Sequence, residues 1–455
     1  VSMTPARAGQ EALRRIPEFA TIPSVDELNR EFSEIADRAG RPLRRIGTSR
    51  LGEPLQALTV GTGPAQAVIF GGVHPNEPIG ALTALHLART LVDEPELAVQ
   101  LGYTWHIVPC IDPDGARLNE GWFSGPFTRG HYARHFYRPA ADEQVEWTFP
   151  FSYKRAYFDR MMPETVALMR LIDDVRPAFM CSLHNGEHGG VYYYLSRPAP
   201  QLYEPLHAIA AAVELPLDTG EPEMPYTPRY ADAIFGMGRS EDAYDFAESA
   251  GLDPTRWDAG ASSAAYAEKY GTLTLVTEVP YWLHPDANDV SESDEIYADV
   301  LKRRAEGMDE LGRILGETLR AIEPDVSVRS PFVRASRAFV PMFEQLGRQE
   351  AHRAAQPGAA RPATRAERFG CLDQVHCFRL RYGGMLRRAL EAELAAGNGT
   401  PVIRQRHAEL SDIYDGWVAE AEAVTSSEPI ALGKLAAVQY AAILATSVHA
   451  AGTTD

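Results

Sequence analysis

Cysteine is scarce in this chain. Its four residues, Cys110, Cys181, Cys371 and Cys377, are scattered over 455 positions and none sits in a CxxC pair. A disulfide framework is therefore excluded, and buried or idle thiols are expected. Positive charge is short as well: 44 Lys and Arg against 62 Asp and Glu leave a net charge of -18. A polyanion partner needs a basic footprint, so no nucleic-acid partner is expected. The opening stretch VSMTPARAGQEALRRIPEF lacks the apolar run of a secretory leader, which points to a cytoplasmic location. The longest apolar tract, Ile430 to Ala450, is interrupted by Lys434, Gln439 and His449 and is rich in Ala. It reads as a packed helix, with no membrane partner. No internal repeat or low-complexity block is present.

What is there is an ordinary globular composition, 45% hydrophobic and 23% charged, long enough for one large domain and a smaller one. Between Leu43 and Trp282 short apolar runs alternate with helical segments, the pattern of a mixed or parallel sheet covered by helices. LQALTVG and AQAVIFGG, joined through Gly61 to Pro64, read as adjacent strands; TWHIVPCI, AFMCSLH, VYYYLS and TLTLVTEV follow. After Pro78, Ile79, Leu82, Leu85, Ala88 and Leu91 recur every three residues, which predicts a helix with one face on the sheet. Gly121 to Tyr153 has little periodicity and many aromatic and Arg residues, the mark of a functional loop. The chain divides into an N-terminal helical segment (1–40), a sheet-bearing domain (41–325) and a helical C-terminal region (326–455). That last region is expected to cover the sheet-bearing domain or to join subunits into a homo-oligomer. Its Arg-rich CFRLRYGGMLRR reads as a solvated helix face.

Four apolar runs end in residues of catalytic type: VIFGGV at His74, HIVPCI at Asp112, AFMCSL at His184 and LTLVT at Glu278. In sheets of this class, ligands bind outside the carboxyl ends of the strands, so four such endings can converge on one cleft. Around His74 and Glu77, Gly71 and Gly72 permit a sharp turn and the flanking prolines stiffen the loop. A second string, HNGEH, matches the HxxEH signature, which needs both histidines one turn apart on a helix. Gly186, Gly189 and Gly190 oppose a helix there, which leaves His184 as the ligand and Glu187 and His188 in the pocket wall or a turn. Two histidines, one carboxylate and a water form a catalytic zinc arrangement. Such a metal lowers the pKa of its water and polarises a carbonyl. The base must lie outside the ligand set, and Glu278 fills that place.

These residues resemble the zinc carboxypeptidases of the carboxypeptidase A and B type. The likeness lies in GGVHPNEPIG for the ligand loop, IDPDG for the family's NPDG turn, SLHN for the third ligand and LTLVTE for the strand of the catalytic glutamate. It covers about Arg41 to Trp282 and is expected to extend to about 320, while the C-terminal region has no counterpart in the family. The resemblance implies a three-layer α/β/α sandwich with a mixed, twisted sheet, one zinc ion held by His74, Glu77 and His184, and water attack promoted by Glu278 on a peptide substrate. It also implies an arginine pair. HFYRP stands where the family has an Asn-Arg pair that grips the substrate's carboxylate, so Tyr137 and Arg138 take the substrate-binding role, with His135 where an orienting Asp would be. The orienting carboxylate for His74 then comes from elsewhere, with Asp112 and Asp114 as candidates, or is absent. Arg129, Arg134 and Arg117 compete to polarise the carbonyl, and Arg129 is favoured by its distance before Arg138. Where the family has a mobile tyrosine, this chain has Arg256, Trp257 and Asp258, and the next tyrosine is Tyr266. AGASSAA, in the family's specificity region, offers no charge. The altered arginine loop keeps open a deacylase of the aspartoacylase type acting on N-acyl amino acids, and a zinc-binding module without turnover is a third reading.

Overall fold

The computed structural model describes residues 3–220, 223–255, 259–424 and 428–452. Among them the strands are β1 Arg44–Thr48, β2 Pro54–Val60, β3 Ala65–Phe70, β4 Tyr103–Val108, β5 Phe151–Tyr153, β6 Ala156–Phe158, β7 Phe179–Gly189, β8 Tyr192–Leu195, β9 Arg229–Ala231, β10 Ile234–Gly236, β11 Leu273–Leu283, β12 Glu292–Ile296 and β13 Pro362–Thr364. Nine of them form one mixed sheet in the order β1-β2-β4-β3-β7-β11-β8-β10-β9. The β5–β6 and β12–β13 pairs stand apart from it. β3, β4, β7 and β11 run parallel through the centre, and antiparallel pairs close both edges.

The helices are α1 Pro5–Ala12, α2 Val25–Ala39, α3 Ile79–Asp93, α4 Pro95–Leu101, α5 Pro113–Arg117, α6 Arg129–His135, α7 Pro163–Val175, α8 Pro200–Ala212, α9 Ser240–Ser249, α10 Ser263–Ala267, α11 Tyr297–Ile322, α12 Pro331–Ala354, α13 Arg365–Ala395, α14 Pro401–Val424 and α15 Leu432–Gly452. Strand alternation sorts the two cores. Ala67 and Ile69 of β3, with Phe179, Cys181 and Leu183 of β7, face a core shared with α3, α8 and α15. Val68, Phe70 and Met180 face the opposite side, against Leu168 and Leu171 of α7. The same period carries β7 from Met180 through Ser182 to His184, so the α7 side of the sheet is where the site forms.

Three sequence expectations change. β4 lies between β2 and β3, because β3 hydrogen-bonds β4 in parallel while β2 joins β4 from its other edge. The short connection between β2 and β3 is therefore no hairpin. Second, β7 and β11 do not stop at His184 and Glu278; they stay paired through Trp282↔His188 and Leu283↔Gly189. HNGEH is thus strand.

Third, the arginines of CFRLRYGGMLRR are not solvated. α13, opened by a Thr364/Glu367 capping box, packs on α6, β7, α11, α12 and α14. Its Arg381 pairs with Glu187 of β7, and Arg379 bridges Glu310 and Glu420. Arg388 donates to the carbonyls of Leu118, His135 and Phe136, which seats α13 on the loop before the site.

By length and composition α15 could cross a membrane, yet most of it is buried against α1, α3, α8, β7 and β11. Of the four free cysteines, Cys181, Cys371 and Cys377 are buried and Cys110 is half-buried.

Candidate metal centre

The loop after β3 delivers two side chains. Gly72 has φ +72°, the left-handed region that favours glycine, and an added Cβ would stand 2.9 Å from Cys110 Sγ. Glu77 N donates to His74 O at 3.0 Å and closes the turn. Tyr281 of β11 donates its hydroxyl to Asn76 O at 2.9 Å, and Ile79 N, at the start of α3, donates to Asn185 Oδ1 of β7 at 3.2 Å. The loop is thereby tied to the two strands that carry His184 and Glu278, and Asn185 supplies the partner that the α3 N-terminus requires.

The Nδ1 atoms of His74 and His184 each lie 3.1 Å from Glu77 Oε2. Their rings meet edge to face with centroids 4.8 Å apart, and one ligand atom from each of the three residues falls within 4.8 Å of the others. All three side chains are buried. Burial, aided by the Arg138 charge, pushes His74 down to about 3, so its imidazole is neutral, the form that binds a metal. Burial alone would raise the Glu77 carboxyl, but both imidazoles and Arg138 hold it well below its ordinary value, as a carboxylate. For His184, burial acts downward and is outweighed by Glu77 and then Glu146, so its pKa is raised. Among the described residues His74 Nε2 is buried without a hydrogen-bond partner. Two imidazoles and an ionised carboxylate within reach of one ion fit a divalent metal, and zinc in particular.

Glu278 stands in register with His184 across the β7–β11 pair, its Oε1 3.7 Å from His184 Nδ1. Its Oε2 is buried without a partner among the described residues. Burial, then the Glu223 and Glu77 charges, raise its carboxyl well above the usual range. It lies outside the three-residue ligand group.

Residues 26–250 match the zinc carboxypeptidase family. This chain carries a zinc carboxypeptidase domain. It is accordingly a hydrolase of the metallopeptidase class. No curated protein matches it. Solved structures similar to it include carboxypeptidase A from Helicoverpa armigera, at 15% identity, covering 77% of this chain and 79% of that one with a TM-score of 0.38. A metallo-carboxypeptidase from Burkholderia cenocepacia is 19% identical over 57% of this chain and 60% of its own, with a TM-score of 0.35. A putative metallopeptidase from Shewanella amazonensis is 14% identical over 56% and 84%, with a TM-score of 0.39.

Around this candidate metal centre the structure adds residues that motif reading missed. Ser182 Oγ lies 2.9 Å from His184 Nε2 and orients the ring. Behind Ser182 is Glu146, buried, raised by burial, and bonded to the amide and hydroxyl of Ser263. Ser182 was within reach of sequence reasoning, being two residues before His184 on one strand face. Glu146 sits in the aperiodic loop and carries no local signal. The AGASSAA segment is occupied here, with Ser263 on Glu146 and Gly260 N on Trp147 O.

The expected arginine roles redistribute. Arg138 does reach the centre: its Nη1 donates to Glu77 Oε1 at 2.9 Å and its Nε to Gln144 at 3.1 Å. Tyr137 does not, because its side chain is buried against Phe332 and its backbone is clasped by Asn119. Arg129 is corrected as well. Its guanidinium makes a two-pronged ion pair with Asp373 of α13, at 2.7 and 3.1 Å, inside the protein. Arg117 pairs with Asp26 and Glu53, and Arg134 with Asp415.

Asp112 and Asp114 are engaged away from His74: Asp112 accepts from Gly115 N, and Asp114 from Ser49 Oγ and Leu51 N. Tyr266 donates to Asp173 of α7. Residues 256–258 lie outside the described residues. His188, in the second string, faces Asp373 at 3.5 Å. Breaking a buried ion pair from one side typically costs about 3–5 kcal/mol. Asp373→Leu is therefore expected to lower stability on that scale in chemical denaturation, while turnover per folded molecule stays near wild type. A selective loss of kcat with unchanged stability would return Arg129 to the chemistry.

Proposed function

We propose that the chain is a zinc-dependent exopeptidase that removes the C-terminal residue of peptides. His74, Glu77 and His184 would hold the ion. When bound, zinc supplies an acidified water and a polarised carbonyl. Glu278 takes the proton of the attacking water and passes it to the leaving amine nitrogen. Arg138, with its planar fork beside the ligand Glu77, faces a substrate carboxylate or carbonyl oxygen. Ser182 and Glu146 keep the His184 ring in place. The observation that carries this reading is the convergence of both Nδ1 atoms on Glu77 Oε2 with a separate buried carboxylate, Glu278, alongside.

The test measures bound metal and hydrolysis of N-blocked dipeptides against N-acyl amino acids, before and after a chelator. One zinc per chain is expected, with dipeptide hydrolysis lost on chelation and restored by zinc. Cleavage of N-acyl amino acids alone would make the protein a deacylase. Retained zinc with neither substrate cleaved would leave a binding module.

A further inference from the structure

Beside Glu278, on the same sheet face, lies a group of side chains that the proton transfer does not use. In the β11–β8 ladder Glu278 stands opposite Tyr192 and Val276 opposite Tyr194, so both tyrosines project to the side of the metal ligands. Phe235 of β10 is in register with Tyr194. The Tyr192, Tyr194 and Phe235 rings lie 5.8, 5.9 and 6.4 Å apart by centroid and pack with Val276 and Met237. Both tyrosine hydroxyls donate to one carboxylate: Tyr192 to Glu223 Oε1 at 2.9 Å and Tyr194 to Glu223 Oε2 at 3.3 Å. Glu223 is exposed, and among the described residues no Lys, Arg or His makes an ion pair with it.

This arrangement has a chemistry of its own. An anion fixed by two phenols beside aromatic faces is the environment that attracts an organic cation, through a charge-assisted hydrogen bond and the ring quadrupoles together. Its counterpart is Arg138, at Glu77 on the metal side. The site is therefore polarised, with a guanidinium at one end and an uncompensated carboxylate at the other. We propose that Glu223, presented by Tyr192 and Tyr194, is a subsite for an ammonium group of the substrate and gives this centre a preference for cationic over neutral or acidic substrates. For its effect on turnover this rests on the peptidase reading; as a binding site it does not.

The experiment is calorimetric binding to the full-length, zinc-loaded protein of three six-carbon acids: hexanoate, norleucine with an α-ammonium, and 6-aminohexanoate with a terminal one. At least one amine is expected to bind about tenfold or more tighter than hexanoate. Tighter 6-aminohexanoate assigns the subsite to a basic side chain, and tighter norleucine to an α-amino group. In Glu223→Gln, which keeps an acceptor for the tyrosines, the amine advantage should vanish while hexanoate affinity and thermal midpoint hold. Equal or absent binding of all three by the wild type, or an advantage that survives the substitution, overturns the proposal. An amine advantage without any peptide cleavage would leave the subsite standing and remove the peptidase reading instead.

Discussion

Glu278→Gln is expected to abolish peptide hydrolysis, by about 10²–10⁴-fold in kcat, with metal content unchanged. The substitution keeps the shape of the side chain and removes only its capacity to take a proton. Its position makes the separation clean: Glu278 is outside the three-residue ligand group, yet Oε1 is 3.7 Å from His184 Nδ1. The β11–β7 pairing that holds it there runs unbroken from Leu273↔Phe179 to Val279↔Asn185, so the backbone has no freedom to bring another carboxylate into its place. Two measurements on one preparation decide the matter, zinc per chain and turnover of a blocked dipeptide. Turnover within a factor of a few of wild type would remove Glu278 from the reaction; loss of both zinc and turnover would make it a ligand.

The buried group of His74, Glu77 and His184 was legible in sequence because its members sit where local rules speak loudly. In GGVHPNEPIG, Gly72 does adopt a left-handed turn and the helix does begin at Ile79. His184 and Glu278 stood out as polar residues within otherwise apolar runs, and that contrast survives even though both strands continue past them. What could not be read was anything set by partners far along the chain. Arg129 was favoured for the carbonyl by its distance before Arg138, and nothing in that spacing shows its partner Asp373, which comes from a helix 244 residues later. The arginines of α13 looked solvated for the same reason, since Glu187, Glu310 and Glu420 reach them only after the helices assemble. Strand order failed on a different point. A four-residue link suggested a β2–β3 pair, but β4 inserts between them, and connection length does not encode that choice.

Gln439→Leu is expected to destabilise the protein by about 2–4 kcal/mol and to weaken zinc binding with it. The residue belongs to α15, at the far end of the chain, yet it is fully buried behind β7 and β11. Its Nε2 donates to His184 O at 2.6 Å and Thr277 O at 3.2 Å, and its Oε1 accepts from Thr83 Oγ1 of α3 at 2.6 Å. One amide thus joins α3, β7 and β11 at His184, the proposed third ligand, and at the residue next to Glu278, the proposed base. Leucine fills nearly the same volume, so the change isolates the hydrogen bonds from packing. A dry interior leaves the Thr83 hydroxyl without its acceptor and both carbonyls without a second donor. Denaturation of the metal-free protein reads the stability term, and competition with a chelator reads the shift in zinc affinity. If both match wild type, α15 only covers the sheet; a loss in both makes the C-terminal helix a structural part of the metal centre, which no catalytic fragment ending before it could reproduce.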